Sequence, residues 1–280
     1  MSIKVCAGIV TYECDLNDLL TCMQAIANQV SSVIVVDNGS SNVDEVEHTL
    51  AKYKNVIFEK NNSNAGIAKA LNQIFEAAIS EKYDWVLTLD DDSTPPSDIV
   101  ARYLSVLAER ENVNARTGII APLLISKTTG IVSHSKTDQD RCITSGSLTN
   151  IDAWRRVGGF DEWLFIDEVD YDFSARIFKA GYEIIENTSV KLLHKVGDSK
   201  SERFLFWHRA TGNYPPLRKY YQMRNRIVVD YKLRRYSVFK IFGLLILRII
   251  STILFEDKKR KKISALFKGT KDGLIKIRDM

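Results

Sequence analysis

The run Asp90-Asp91-Asp92 is the sharpest chemical signal in the chain. Two carboxylates at i and i+2 in extended backbone point to the same side. Asp90 and Asp92 would thus offer paired oxygen ligands to a hard divalent cation, Mg²⁺ or Mn²⁺. The other reading is a solvated acidic turn before a helix opening at Pro95-Pro96, where proline is well tolerated. A second acidic cluster holds Asp167, Glu168, Asp170 and Asp172. Read as a helix, Val169, Phe173, Ile177 and Ala180 form its buried stripe. Asp170 then falls about 60° from the centre of that stripe and Asp167 about 120° away. A carboxylate at the rim of a packed face is partly desolvated, which makes it a better base. Complementation of a helix N-terminus accounts for Asp167 and Glu168. His194 follows a predicted strand, Val190–Leu193, and reads as a ligand or as a structural or solvent-facing side chain.

Weaker signals surround these. Asn64-Ala65-Gly66 leads into a helix carrying Lys69 and Asn72, and Asp37 caps a helix or binds a ribose hydroxyl. Neither G-x-G-x-x-G nor G-x-x-x-x-G-K-[ST] occurs, which removes the usual signals for a Rossmann dinucleotide site and a P-loop.

Alternating elements must position these residues. Ile3–Thr11, Val33–Val36, Val56–Phe58 and Trp85–Leu89 read as strands. Leu16–Asn28, Val43–Tyr53, Gly66–Ser80 and Pro95 to about Glu109 read as the helices that follow them. Four strand–helix units predict an α/β sandwich with a mainly parallel sheet. Ligands on such sheets sit beyond the carboxyl ends of the strands. Thr11, Asp37 and Asp90–Asp92 all fall at those ends.

With 280 residues, 45% hydrophobic and 26% charged, the chain has globular composition. Its net charge of +4 hides an asymmetry. Residues 1–200 hold 19 Lys and Arg against 29 Asp and Glu, and residues 201–280 hold 20 against 6. Such a tail suits an anionic partner. Cys6, Cys14, Cys22 and Cys142 form no C-x-x-C pair and read as reduced thiols of a cytosolic protein. The N-terminus lacks the features of a secretory signal. Ile241–Leu247 and Ile249–Phe255, interrupted by Arg248, are each too short to span a bilayer. Tyr236–Phe255 reads as an apolar helix with Lys240, Arg248 and Thr252 on one stripe, followed by Lys258-Lys259-Arg260-Lys261-Lys262. That pattern fits a helix lying in a membrane interface, with packing on the catalytic domain or on a second copy in a homodimer as the competing readings. Residues 201–236 combine nine Lys and Arg with eight aromatics. The acidic body and the lack of RNA-binding motifs argue against nucleic acid, and a phosphate-bearing acceptor fits better.

Taken in order, the motifs resemble the family 2 glycosyltransferases, inverting nucleotide-sugar enzymes of the GT-A fold. Within them the chain is similar to bacterial rhamnosyltransferases and galactofuranosyltransferases of surface-polysaccharide assembly. The resemblance covers residues 3–235. It rests on Val10-Thr11-Tyr12, Val36-Asp37-Asn38-Gly39-Ser40, Asn64-Ala65-Gly66-Ile67-Ala68 with Asn72, and Leu89-Asp90-Asp91-Asp92-Ser93. It continues with Gly158-Gly159-Phe160-Asp161-Glu162, Phe165 to Asp172 with Arg176, His194-Lys195-Val196-Gly197, and Tyr220 to Asn225.

The resemblance implies a GT-A domain over residues 1–235, with a nucleotide-binding half (1–110) and an acceptor-binding half (111–235). A basic helical region, 236–280, follows. It implies that Thr11, Tyr12, Asp37, Asn64, Lys69, Asp90 and Asp91 bind the nucleotide sugar. Asp90, Asp92 and His194 would hold Mn²⁺ or Mg²⁺, and Asp170 would be the general base. Gly146, Ser147, Trp163, Asp167 and Arg224 would face the acceptor, a saccharide or a lipid-linked saccharide. L-Rhamnose from dTDP-rhamnose is the first donor expectation and UDP-galactofuranose the second; a non-catalytic nucleotide-sugar-binding protein is a further alternative. The expected location is cytoplasmic, peripheral on the inner face of the plasma membrane.

Overall fold

In the computed structural model the chain alternates strands and helices from its start: β1 (Val5–Thr11), α1 (Leu16–Ile26), β2 (Val33–Asp37), α2 (Val43–Leu50), β3 (Val56–Lys60), α3 (Ile67–Ser80), β4 (Trp85–Asp90) and α4 (Ile99–Arg110). There follow β5 (Arg116–Ser126), β6 (Val132–His134), β7 (Lys136–Asp138), β8 (Arg141–Cys142), β9 (Leu148–Asn150), α5 (Ile151–Val157), a 3-10 turn at Glu162–Leu164, α6 (Val169–Lys179) and β10 (Tyr182–His194). The structure describes residues 3–110, 116–194, 200–204, 207–211 and 213–280, with backbone alone for 200–211. Lys195-Val196-Gly197 of the quoted motif and Phe206 lie outside the described residues.

The chain forms two compact units, Met1–Trp163 with Val169–Lys195, and Leu164–Glu168 with Val196–Met280. This differs from the expected boundaries at 110 and 235. The reason is pairing across the sequence: β5, β9 and β10 join the sheet begun by β1–β4, while the helix of residues 216–232 packs in the second unit.

In the first unit the strand order is β10-β5-β9-β4-β1-β2-β3, with β6 beside β5. β4, β1, β2 and β3 pair in parallel, as do β10 and β5. β9 runs antiparallel to both β4 and β5, so those two share a direction. Every long strand therefore ends at one rim. Register makes that rim level: Thr11 pairs with Asp37, Val10 with Asp90, and Asp37 with Lys60. β1, β2 and β4 are buried along nearly their whole length, as apolar strands covered on both faces must be. Asp15 caps α1 by accepting from the Asn17 and Asp18 amides, which ends the loop after β1. Pro95 and Pro96 precede α4 by several residues rather than opening it. All four cysteines are free and buried.

The second unit contains the β11 (Lys200–Phe204) and β12 (Trp207–Thr211) hairpin and three helices, α7 (Pro216–Lys232), α8 (Val238–Phe255) and α9 (Lys259–Arg278). Met223, Ile227, Ile241, Leu245 and Leu266 form its small core. A Cβ on Gly269 would lie 2.3 Å from the Tyr220 carbonyl oxygen, so only glycine lets α9 approach the α7 backbone this closely.

The basic tail is used differently from expectation. Glu256 accepts from Lys219 (2.5 Å) and Lys262 (3.1 Å), all three side chains being almost wholly buried. Lys262 is thus withdrawn from the polybasic run, while Lys258, Lys259, Arg260 and Lys261 stay exposed. On α8, Thr252 is fully buried and Arg248 lies within reach of Gln222 at 3.4 Å, but Lys240 is exposed. Eight residues rotate an α-helix by about 80° beyond two turns, so Lys240 does not share the Arg248 stripe.

Candidate active site

β4 ends at Asp90, and a turn closed by the Ser93 amide on the Asp90 carbonyl (3.0 Å) carries Asp91 and Asp92. β10 delivers His194 to the same rim. Between them Thr94 and Leu193 exchange backbone hydrogen bonds, Thr94 N to Leu193 O at 2.8 Å and the reverse at 3.2 Å. That bridge sets the separation of the two segments. His194 Nδ1 lies 3.6 Å from Asp90 Oδ2 and 3.9 Å from Asp92 Oδ1. One ligand atom from each of Asp90, Asp92 and His194 lies within 4.8 Å of the others. Ser93 Oγ is 3.3 Å from His194 Nδ1 and 3.0 Å from Ser145 Oγ. Asp92 Oδ1 is buried and has no hydrogen-bond partner. An orphaned carboxylate oxygen beside a second carboxylate and an imidazole is a donor set that a hard divalent cation satisfies.

The i, i+2 expectation holds for Asp90 and Asp92, whose carboxyl oxygens lie within 4.8 Å of one another and of a His194 ring nitrogen. Burial, reinforced by the Asp90 and Asp92 carboxylates, pushes Asp91 up to about 7. Burial and Asp90 also raise Asp92, while His194 and Lys127 oppose the shift. Lys127 had no signal in the sequence. It follows β5, and its ammonium donates to the Asp92 carbonyl oxygen.

Thr11 and Asp37 meet, but in the interior. Both are fully buried, and Thr11 Oγ1 donates to Asp37 Oδ2 at 2.9 Å. Asp37 also accepts from the Gly39 amide (3.1 Å), the Ser40 amide (2.9 Å) and the Ser40 hydroxyl (2.6 Å). Four donors fill a carboxylate's usual acceptor sites. In this conformation Asp37 holds its own turn and does not present an oxygen to a ribose, which corrects the expected direct contact. Gly39 completes the turn at φ +81°, with the Ser63 backbone 2.5 Å from where a Cβ would sit. Asn38 donates to Asn64 Oδ1 at 3.1 Å and accepts from the Ala65 amide at 3.0 Å. Asn64 in turn accepts from the Gly66 amide at the start of α3. Tyr12 is exposed at the mouth of this loop pair. Lys69 pairs with Glu162 at 3.3 Å, and Asn72 clamps Phe160 through both its amide and carbonyl.

Asp170 lies in the first turn of α6, half-buried, as the helical stripe implied. Its charge, after burial and a Ser147 hydrogen bond, acts on the Cys142 thiol. Asp172, given no role from sequence, is fully buried. It holds Arg176 at 2.7 Å, and Arg176 donates to the Val157 and Gly159 carbonyls. Trp163 is half-buried. Ser147 is buried with its hydroxyl donating to the Ile143 carbonyl at 2.7 Å, and Gly146 donates to Thr88 O while accepting from Tyr103. These two shape the wall of the unit; Ser147 has no free face for an acceptor.

Asp167 and Arg224 belong to the second unit. Asp167 is not helical: Phe165, Asp167 and Glu168 all have φ near +60°. Asn225 binds this loop through the carbonyls of Leu164 (2.7 Å), Ile166 (2.7 Å) and Asp167 (2.9 Å). Arg218 pairs with Asp167 and Arg226 with Glu168. Burial raises Asp167, and Arg218 opposes the shift. Arg224 is buried, donating to the Leu164 carbonyl and the Asn225 side chain and lying over Tyr221. It ties the loop, which corrects the expectation that it faces an acceptor. The reason is physical: a buried guanidinium must spend its donors on nearby oxygens.

The mainly parallel sheet with its acidic, histidine-bearing rim has the fold of GT-A structures. Residues 6–122 match the family described as Glycosyl transferase family 2. The chain is 26% identical to dTDP-rhamnosyl transferase RfbF of Shigella flexneri, covering 98% of this chain and 96% of that protein. It is also similar to mannosyltransferase PcManGT from Pyrobaculum calidifontis, solved with GDP-Man and Mn²⁺ (12% identity, TM-score 0.61, 97% and 87% of the two chains). A third likeness is to S. aureus TarS 1-349 in complex with UDP-GlcNAc (14% identity, TM-score 0.57, 95% and 80%). The match over residues 6–122, together with the likeness to a rhamnosyl transferase, supports a glycosyltransferase enzyme.

Proposed function

We propose that the protein moves a sugar from a nucleotide-sugar donor to a hydroxyl of a saccharide acceptor, inverting the anomeric centre. The observation that carries this is the Asp90, Asp92 and His194 cluster at the carboxyl rim of the sheet. Similarity to a dTDP-rhamnosyl transferase supports L-rhamnose from dTDP-rhamnose as the donor, ahead of UDP-galactofuranose. Asp90, Asp92 and His194 would hold Mn²⁺ or Mg²⁺, which would supply Lewis-acid neutralisation of the leaving diphosphate. The bond from anomeric carbon to diphosphate oxygen breaks with its electron pair on that oxygen. The acceptor oxygen bonds to the anomeric carbon from the opposite face, and Asp170 takes its proton. Tyr12, Asn38 and Asn64 line the loops that would meet the nucleoside, ordered by Thr11 and Asp37.

The test is turnover with a panel of nucleotide sugars, dTDP-rhamnose and UDP-galactofuranose included, with and without Mn²⁺. Asp170→Asn is expected to lower turnover by about 10²- to 10⁴-fold while leaving donor binding intact. Near-normal turnover would remove Asp170 from the mechanism.

The second unit, taken alone, supports a reading of location. α8 has 18 residues with mean hydropathy 2.2 and is the single helix expected over Tyr236–Phe255. It is amphipathic in the inverse sense: Arg248 and Thr252 face inward, while Phe239 (90% exposed), Phe242, Ile246, Leu247, Ile250 and Ile253 face out. This supports peripheral attachment to the cytoplasmic face of an anionic membrane, with the acceptor a lipid-linked saccharide. Lys240 and Lys258–Lys261 would supply the headgroup contacts.

A further inference from the structure

Resting on the nucleotide-sugar reading, we infer that Lys127 is a catalytic residue that binds the donor's diphosphate and stabilises it as it leaves. The β5–β6 turn holds the residue: the Ser126 amide donates to the Ile131 carbonyl and the Gly130 amide to the Ser126 carbonyl. Its own amide donates to the His194 carbonyl at 3.0 Å. Its ammonium reaches the Asp92 carbonyl. Lys127 is thus tied by main chain and side chain to two of the three residues of the candidate metal cluster.

Charge gives the position its meaning. The Asp90 and Asp92 carboxylates already offset the two charges of a divalent cation. A multiply charged diphosphate arriving there needs a further cation. Lys69 is held by Glu162, whereas the Lys127 side chain is exposed. An ammonium has three donors, and the Asp92 carbonyl takes one. On an exposed side chain the remaining two can donate to phosphate oxygens. As the glycosidic bond breaks, the electron pair stays on the diphosphate oxygen, so the attraction of Lys127 for that group grows along the reaction. An interaction stronger in the transition state than in the ground state raises turnover.

The experiment measures binding of dTDP, dTMP, UDP and UMP to wild-type protein, Lys127→Met and Lys127→Arg by calorimetry in MnCl₂, with thermal midpoints as a folding control. Lys127→Met keeps the aliphatic stem and is expected to weaken diphosphate binding about 10- to 100-fold, the effect of losing one charge-assisted hydrogen bond. Monophosphate binding should stay within about twofold, Lys127→Arg should recover most of the diphosphate affinity, and the midpoints should agree. Unchanged diphosphate affinity in Lys127→Met overturns the assignment while leaving the nucleotide-sugar reading standing. An equal loss for diphosphate and monophosphate also overturns it, because that is charge acting at a distance. Failure of the wild-type protein to bind any of the four nucleotides overturns the nucleotide-sugar reading, and the assignment with it.

Discussion

Asp90 and Asp92 show how a residue pattern becomes a site. Their spacing alone puts both carboxylates on one side, and the level register of β1, β2 and β4 puts that side at the rim. What remains is an unmet demand at Asp92 Oδ1, buried without a partner. Asp92→Asn should therefore raise the thermal midpoint of metal-free protein slightly, by easing repulsion among three clustered carboxylates. Mn²⁺ should stabilise the wild type through binding linkage and leave the variant unmoved; thermal melts with and without EDTA check both. At Gly39 the demand is backbone: with φ +81° and Ser63 within 2.5 Å of a Cβ, Gly39→Ala should cost about 2 kcal/mol or more, read by chemical denaturation.

At the scale of elements, α8 and the 164–168 loop carry the consequences. The outward face of α8 is apolar over most of its length, the face that the proposed peripheral attachment would place against lipid. Phe239→Glu with Phe242→Glu should abolish flotation with anionic vesicles. Salt should weaken binding of the wild type only in part, since each exposed cation contributes about 1 kcal/mol and the apolar face is insensitive to screening. Retained flotation in the double variant, or its assembly state changing instead, would assign the face to a second copy. In the 164–168 loop, Asp167 sits at φ +64° with its carboxyl raised by burial. A raised folded-state value means that stability is complete below the ordinary carboxyl range and is lost as pH rises through the folded value. Asn tolerates the same backbone angles. Asp167→Asn should thus raise the thermal midpoint at pH 7.5, and the gain should vanish towards pH 4.

Across the whole molecule, charge is spent locally. The positive balance of residues 201–280 suggested a surface open to anions, yet Arg218, Lys219, Arg224, Arg226 and Lys262 are each engaged inside the second unit. Glu256 joins two buried lysines; Glu256→Gln leaves Lys219 short of a counter-charge, while Lys262 keeps Asp257 at 3.0 Å. The expected loss is about 3–5 kcal/mol for the three-helix unit, measured by denaturant titration. Lys240, Lys258–Lys261, Lys268 and Lys271 stay exposed, so the outward charge is smaller than composition indicates.

The order of strands and helices, the shared side of Asp90 and Asp92, the placement of Asp170 in α6 and the level rim were all legible in the chain, because each depends on short-range periodicity or on a strand's direction. His194 reached the site as expected, since a strand end is a local feature. Asp167 was misread as helical because left-handed backbone in three non-glycine residues has no local signal; the Asn225 side chain that imposes it is some sixty residues away. Lys127 was invisible for the same reason, its meaning arising only when β5 lies beside β10. Thr11, Asp37, Ser147 and Arg224 carried the right motif and different tasks. Residue type and spacing determined which groups could do chemistry; tertiary packing decided which of them keep an unspent donor, acceptor or charge, because burial and partner choice are settled by segments distant in sequence.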